Sequence, residues 1–119
     1  MSGRYEGIDW HERARALRIR GEALINGRRV AAQGGATFPS LSPIDGRQLA
    51  VVAAGDTADI DAAVSAARAS FERGDWARQP PAARKRVLQN FAALVEAAAE
   101  ELALLETLDM GKPISDALA

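Results

Sequence analysis

Between Pro80 and Met110, Val87, Leu88, Phe91, Leu94, Val95, Ala98, Leu102 and Leu105 recur at three- and four-residue steps. That is the repeat of a helix with one apolar face, sustained for five turns. A strand cannot gather this set, because its neighbours alternate sides at every residue. A stripe of this length must be covered by something. The nearest candidate in the chain is a second helix, whose apolar residues are Ile60, Ala63, Val64, Ala67 and Phe71. The two faces are expected to pack together, but the second is narrow and mostly small. Leu104 and Leu108 fall on a flank that it can hardly reach. The segment is therefore expected to need more protein to cover it, with a self-sufficient miniature α+β domain as the alternative.

The helix ends are marked. Asp56 is a good N-cap, and Asp59 and Asp61 lie in the first turns, where the helix dipole favours acids. Gly74 ends this helix, and a proline of "RQPPAARKR" suits the first turn of the next. Gly111 and Pro113 stop the long helix, and "ISDALA" reads as the start of another. Glu106 and Asp109, however, sit in its last turns, against the dipole.

Upstream, "DWHERARALRIR" (9–20) fits a short amphipathic helix capped by Asp9, with Trp10, Ala14 and Leu17 on one face. His11 is the only histidine and reads as an exposed helix residue. Asn26-Gly27 is a strong signal for a two-residue hairpin between strands at 23–25 and 28–31. A strand near 37–41 follows, then a turn at Pro43-Ile44-Asp45-Gly46 and a buried strand in "RQLAVVAA". Pro39 should place its strand at a sheet edge.

Composition narrows the function classes. A chain of 119 residues with 48% hydrophobic and 26% charged residues has the balance of a soluble globular protein. Its formal net charge of -1 argues against a dedicated nucleic-acid binder. Eight arginines against five acids in residues 1–47 read as a solvated helix face. The sequence has no cysteine, hence no disulfide, thiolate metal site or thiol nucleophile. No apolar run approaches a membrane span and no signal-peptide core is evident, so a cytoplasmic location is expected. Ser40, Ser42, Ser65, Ser70 and Ser115 lack a plausible base. Gly34-Gly35 is a turn rather than a phosphate-binding fingerprint.

The order and spacing of "LINGRR", "SPIDG", "DWARQPPAARKRVL" and "ELALLETLDMGKPI" carry a family resemblance. Residues 22–119 resemble the N-terminal part of an NAD(P)-dependent aldehyde dehydrogenase. The leader and "RGDWARQPPAARK" are similar to the members that oxidise ω-amino or guanidino aldehydes in polyamine and arginine catabolism, such as γ-glutamyl-γ-aminobutyraldehyde dehydrogenase. The resemblance implies an α/β fold, of which this chain supplies short β-strands and two amphipathic helices, incomplete as a domain. It divides the chain into a leader, 1–21, and a truncated piece of the cofactor-binding domain, 22–119.

The resemblance also implies a chemistry. A thiolate attacks the aldehyde, hydride passes to NAD or NADP, and a glutamate-activated water releases the acid. The cysteine, the glutamate, the oxyanion-hole asparagine and the cofactor-holding residues match nothing in these 119 residues. The fragment alone is expected to be inactive, with no catalytic or cofactor-binding residue of its own. One family feature does fall here: a monovalent cation, Na+ or K+, with Ser40, the Leu41 carbonyl and the Asp109 carboxylate as ligands. Otherwise Asp109 is a solvated acid, or pairs with Lys112 or an arginine. The expected partners are an aldehyde substrate and further subunits of a homo-oligomer, with no nucleic acid and no membrane. A stand-alone interaction or scaffold protein built on the same segment is the alternative reading.

Overall fold

The structure, a computed structural model, describes residues 5–119; the first four residues of the leader 1–21 lie outside the described residues. Among the described residues it is an α/β arrangement of two small antiparallel ribbons and five helices. Helix α1 spans Trp10–Ala16, with the Asp9 carboxylate accepting from the Glu12 N–H at 3.0 Å. It is shorter than expected, because Leu17 is already extended. Trp10, Ala14 and Leu17 are its half-buried residues, and His11 is exposed as expected. The Trp10 and Tyr5 rings lie 6.2 Å apart.

Strands β1 (Ala23–Ile25) and β2 (Arg28–Val30) pair across Asn26 and Gly27, whose φ values of 51° and 72° are those of the hairpin turn the dipeptide favours. Strands β3 (Thr37–Leu41) and β4 (Gln48–Ala53) form the second ribbon. Pro39 sits in a strand paired on one side only, which suits a residue with no N–H. The β4 segment is not the buried strand expected: Ala50 is buried, but Val51 is 50% exposed, because no layer covers that face. Gly21 lies so close to β4 that a Cβ there would collide with the Val51 carbonyl, and its own carbonyl accepts from the Ala53 N–H at 2.8 Å.

Helix α2 runs Thr57–Arg73 and ends at Gly74 in the left-handed region, as expected. Its N-terminus is held by more than the dipole. The Asp59 side chain is 4% exposed and accepts from the Asp56 N–H at 3.0 Å. It also accepts from the Gln33 N–H, at 3.0 Å to one oxygen and 3.3 Å to the other. Gln33 Nε2 donates in turn to the Ala58 carbonyl at 3.2 Å. The residues half-buried beyond Asp59 are Ala62, Ala63, Ala66 and Ala69. The expected stripe faces the other way: Ile60, Val64 and Phe71 are 57–74% exposed. Alanine permits close approach to the β1 hairpin, and that contact wins over the larger side chains.

The long helix is two. Helix α3, Pro81–Ala97, and helix α4, Ala99–Met110, meet at Ala98, where φ -96° and ψ 9° bend the axis. Val87, Leu88, Phe91, Leu94 and Val95 are all exposed, so the expected packing of this stripe on α2 does not occur. Burial is greatest on the flank expected to stay uncovered: Ala103, Leu104 and Leu108 are 2%, 5% and 7% exposed. Helix α1 contributes to this: it lies across α4 with Ala16 and Leu17 near Leu104 and reaches Glu100 with Arg13 at 3.8 Å. A single turn, α5 (Ile114–Ala117), follows Pro113 as "ISDALA" suggested.

The outcome is an open body. Its radius of gyration is 18.0 Å, against about 13.5 Å for a compact chain of this length. The surface is 9057 Å², against roughly 6,200 Å² for a folded monomer of this mass. No large side chain among the described residues is more than 98% buried.

Two expectations test these ties. Asp59→Ala leaves the part-buried Gln33 and Asp56 N–H groups without their acceptor, and should cost about 1–3 kcal/mol in urea unfolding followed by far-ultraviolet circular dichroism. A change below about 0.5 kcal/mol, the range of ordinary surface substitutions, would mean that the carboxylate does not tether α2. At the far end of α2, Asp75 accepts from Arg73 Nε and Nη2 at 2.9 and 2.7 Å, which holds its carboxyl below the ordinary 3.8. A depressed value means that this pair stabilises the fold above the ordinary carboxylate range and ceases to do so as pH falls through the lowered one. The Asp75 carboxyl resonance should titrate below 3.8 and return towards it in Arg73→Gln.

Candidate functional site

The residues singled out for cation binding lie where the C-terminal end of α4 meets the β3–β4 ribbon. Ribbon pairing runs regularly from Thr37↔Ala53 to Ser40↔Ala50 and then shifts, so that Leu41 faces Gln48. This bulge leaves Leu49 as the extra residue on β4, which bends that strand opposite Ser40 and Leu41. On the other side, α4 ends at Gly111, whose N–H still reaches the Thr107 carbonyl at 2.9 Å and whose φ of 74° turns the chain out of the helix. A Cβ at Gly111 would stand 3.3 Å from Pro43 Cγ, so the helix end abuts the ribbon's turn. That turn is closed by the Gly46 N–H on the buried Ser42 carbonyl, at 2.9 Å, and by the Ser42 N–H on the Arg47 carbonyl, also 2.9 Å. The Arg47 N–H holds the Asp45 carboxyl of the turn below its ordinary value.

Across this junction the Ser40 hydroxyl donates to Asp109 Oδ1 at 3.0 Å. The structure thus brings together two residues 69 positions apart in the sequence. Ile19, Ser40, Leu49, Leu105, Glu106 and Asp109 line a cavity of about 240 Å³ there. Its polar groups are oxygens from a hydroxyl and carboxylates on apolar walls. Leu41, the third residue singled out, is the next along the bulge and is largely exposed. Among the described residues no group of three or more His, Asp or Glu side chains converges.

The partner of Lys112 is not Asp109. Lys112 Nζ lies 3.1 Å from Glu106 Oε1, and both side chains are partly shielded. Glu106, set against the dipole, thereby acquires a cation of its own. The six-residue spacing hid this pair, because helical pairs are sought at three and four; the left-handed Gly111 folds the chain back to make it. The buried Thr107 hydroxyl oxygen, one residue on, has no hydrogen-bond partner among the described residues. Sequence alone gave no signal for it.

None of this is a catalytic constellation. The serines reach only turn groups and carboxylates: Ser42 Oγ accepts from the Ile44 N–H at 3.2 Å, and Ser70 and Ser115 lie 3.5 and 3.3 Å from Asp75 and Asp116. Gly34-Gly35 is a turn, closed by the Gly35 N–H on the Ala32 carbonyl at 2.8 Å. A larger cleft of about 490 Å³ between Trp10 and Leu118 is chiefly apolar, with Glu6 and Ser115 among its polar groups. No helix among the described residues is long and apolar enough to cross a membrane.

Comparison with known proteins gives this geometry its setting. The chain is 51% identical over 109 residues to the NADP/NAD-dependent aldehyde dehydrogenase PuuC of Escherichia coli, covering 92% of this chain and 22% of that protein. The structure superposes on Pseudomonas syringae indole-3-acetaldehyde dehydrogenase AldA in complex with NAD+ with a TM-score of 0.90 and 56% identity, over 93% of this chain and 22% of that one. It superposes equally on γ-glutamyl-γ-aminobutyraldehyde dehydrogenase from Burkholderia cenocepacia, with a TM-score of 0.91, 52% identity and the same coverage. The chain thus spans about a fifth of the length of the relatives it matches. With residues 30–119 matching the family pattern, and with strands and helices in the order of the N-terminal part of that fold, the chain belongs to the aldehyde dehydrogenase family.

Proposed function

We propose that these residues form the N-terminal part of the cofactor-binding domain of an NAD(P)+-dependent enzyme that oxidises an ω-amino or guanidino aldehyde to its acid, and that alone they are inactive. The leader is 1–21 and the domain piece 22–119. The observation that carries this reading is the superposition over 93% of this chain on a γ-glutamyl-γ-aminobutyraldehyde dehydrogenase of which it covers 22%. Inactivity of the piece follows from chemistry: the family reaction needs a thiolate, and the sequence contains no cysteine. Bound elsewhere in the enzyme, NAD or NADP accepts the hydride, and the resemblance extends the proposal to a homo-oligomer. The role of this piece is architectural. Its ribbon and helices frame the domain that holds the cofactor.

Within that frame the Ser40 hydroxyl, the Leu41 carbonyl and the Asp109 carboxylate are the proposed ligands of Na+ or K+. The short Ser40–Asp109 approach and the electronegative carbonyls at the end of α4 support this. The cation would fasten helix to ribbon and has no step in the reaction.

An in-frame chimera tests the function. Residues 1–119 replace the matching segment of the Burkholderia cenocepacia enzyme, and aldehyde oxidation is measured with NAD+ and NADP+. The expected result is turnover of γ-glutamyl-γ-aminobutyraldehyde within about tenfold of the parent and none by residues 1–119 alone, a 1.4 kcal/mol allowance on the barrier. A folded but inactive chimera would favour the stand-alone scaffold, and a clear preference for indole-3-acetaldehyde would move the substrate class. For the cation, the chimera's melting temperature should be higher in NaCl or KCl than in N-methylglucamine chloride at equal ionic strength. Asp109→Asn should remove the difference. Equal melting in all three salts would refute the site.

A further inference from the structure

Asn26-Gly27 and Asp45-Gly46 each place an unhindered glycine nitrogen after a side chain whose carbonyl carbon it can attack to close a succinimide ring. All four residues are exposed, and both glycines are left-handed, with φ of 72°. Exposure and glycine conformation therefore do not separate the two dipeptides. Hydrogen bonding does. At Asp45-Gly46 both reacting groups are engaged. The Gly46 N–H donates to the carbonyl of the buried Ser42 at 2.9 Å, and the Ser42 N–H donates to the Arg47 carbonyl at 2.9 Å. The Asp45 carboxylate accepts from the Arg47 N–H at 3.2 Å and lies 3.3 Å from Arg47 Nε. These contacts favour its ionised form, which is a poor electrophile.

At Asn26-Gly27 neither group is engaged. Among the described residues the Asn26 carboxamide and the Gly27 N–H take part in no hydrogen bond. A Cβ at Gly27 would meet nothing within 4 Å, so the approach is open. The carboxamide is neutral and can depart as ammonia. Ring closure does require Asn26 to rotate out of the turn, where its φ is 51°. Only the three residue pairs of the β1–β2 ribbon resist that rotation directly, and no third strand flanks them. A ribbon of two short strands is marginal and opens at its tip.

We propose that Asn26 is a site of spontaneous covalent modification in this protein. The Gly27 nitrogen bonds to Asn26 Cγ, and the bond from Cγ to the side-chain nitrogen breaks. That nitrogen leaves as ammonia, taking up the Gly27 proton. Water then opens the succinimide at one carbonyl or the other, giving aspartate or isoaspartate. Isoaspartate routes the backbone through the side-chain carbon and adds one methylene to a two-residue turn. It also sets a new carboxylate beside Arg28 and Arg29. Such turns accept few backbone geometries, so the Ile25↔Arg28 pair cannot close as before.

The test holds residues 1–119 in mildly alkaline buffer, with and without urea, and then cleaves after arginine. Asn26 falls in the peptide 21–28 and Asp45 in 30–47. Isoaspartate in each is counted by enzymatic methylation, and deamidation of 21–28 by its gain of one mass unit. Each site is compared with itself in urea, which cancels the intrinsic difference between an amide and an acid. In buffer Asn26 should keep at least about a tenth of its rate in urea, and Asp45 a roughly tenfold smaller fraction of its own. Asn26→Gly, which tolerates the positive φ, should abolish the mass gain. Equal fractions retained at the two sites, high or low, would overturn the proposal. So would a peptide 21–28 that stays unchanged in buffer.

Discussion

The Asp59 carboxylate, buried and shared between the Asp56 and Gln33 N–H groups, decides how α2 sits on the rest of the chain. In a compact domain such a tie would be one among many. Here the buried apolar residues are Ala32, Ala50, Ala103, Leu104 and Leu108, three of them alanines, and that set is too small to orient a 17-residue helix. A buried carboxylate demands donors, and the one that lies outside the helix end, the Gln33 N–H, is in the loop after β2. Satisfying it fixes the rotation of α2, which in turn directs Ile60, Val64 and Phe71 away from the chain's own core. The outward apolar face is thus a consequence of a polar tie.

The same division of labour appears at the other end. The bend at Ala98 separates a helix without a buried residue from one whose buried flank meets α1 beside Leu104. The end of α4 is then pinned to the ribbon by Gly111 against Pro43 and by Ser40 against Asp109. Acids in the last turns of α4, unfavourable to the dipole in isolation, are accounted for by their partners. Lys112 serves Glu106, and the Ser40 hydroxyl serves Asp109, beside the proposed cation site.

Local chemistry was legible where a residue type has few uses. Asn26-Gly27 marked the hairpin, Asp56 and Gly74 bounded α2, and Gly111 with Pro113 ended α4. Motif order likewise placed the chain in its family. Periodicity located the apolar faces but could not say which of them meets a partner inside these residues. The stripe of α3 proved outward, and the Leu104–Leu108 flank inward, with α1 returning beside Leu104 from more than 80 residues upstream. Pairing of Ser40 with Asp109 was suggested by resemblance alone. No spacing rule joins a strand residue to a helix end 69 positions later.

The proposed role as a piece of a larger enzyme requires that α3 and the outer face of α2, exposed here, be covered by the rest of that enzyme. Amide hydrogen exchange over residues 87–95, compared between the isolated chain and the in-frame chimera, tests it most directly. An uncovered 17-residue helix is marginal in water, so its amides should exchange rapidly in the isolated chain and be protected at least a hundredfold in the chimera. Equal protection in both would contradict the claim.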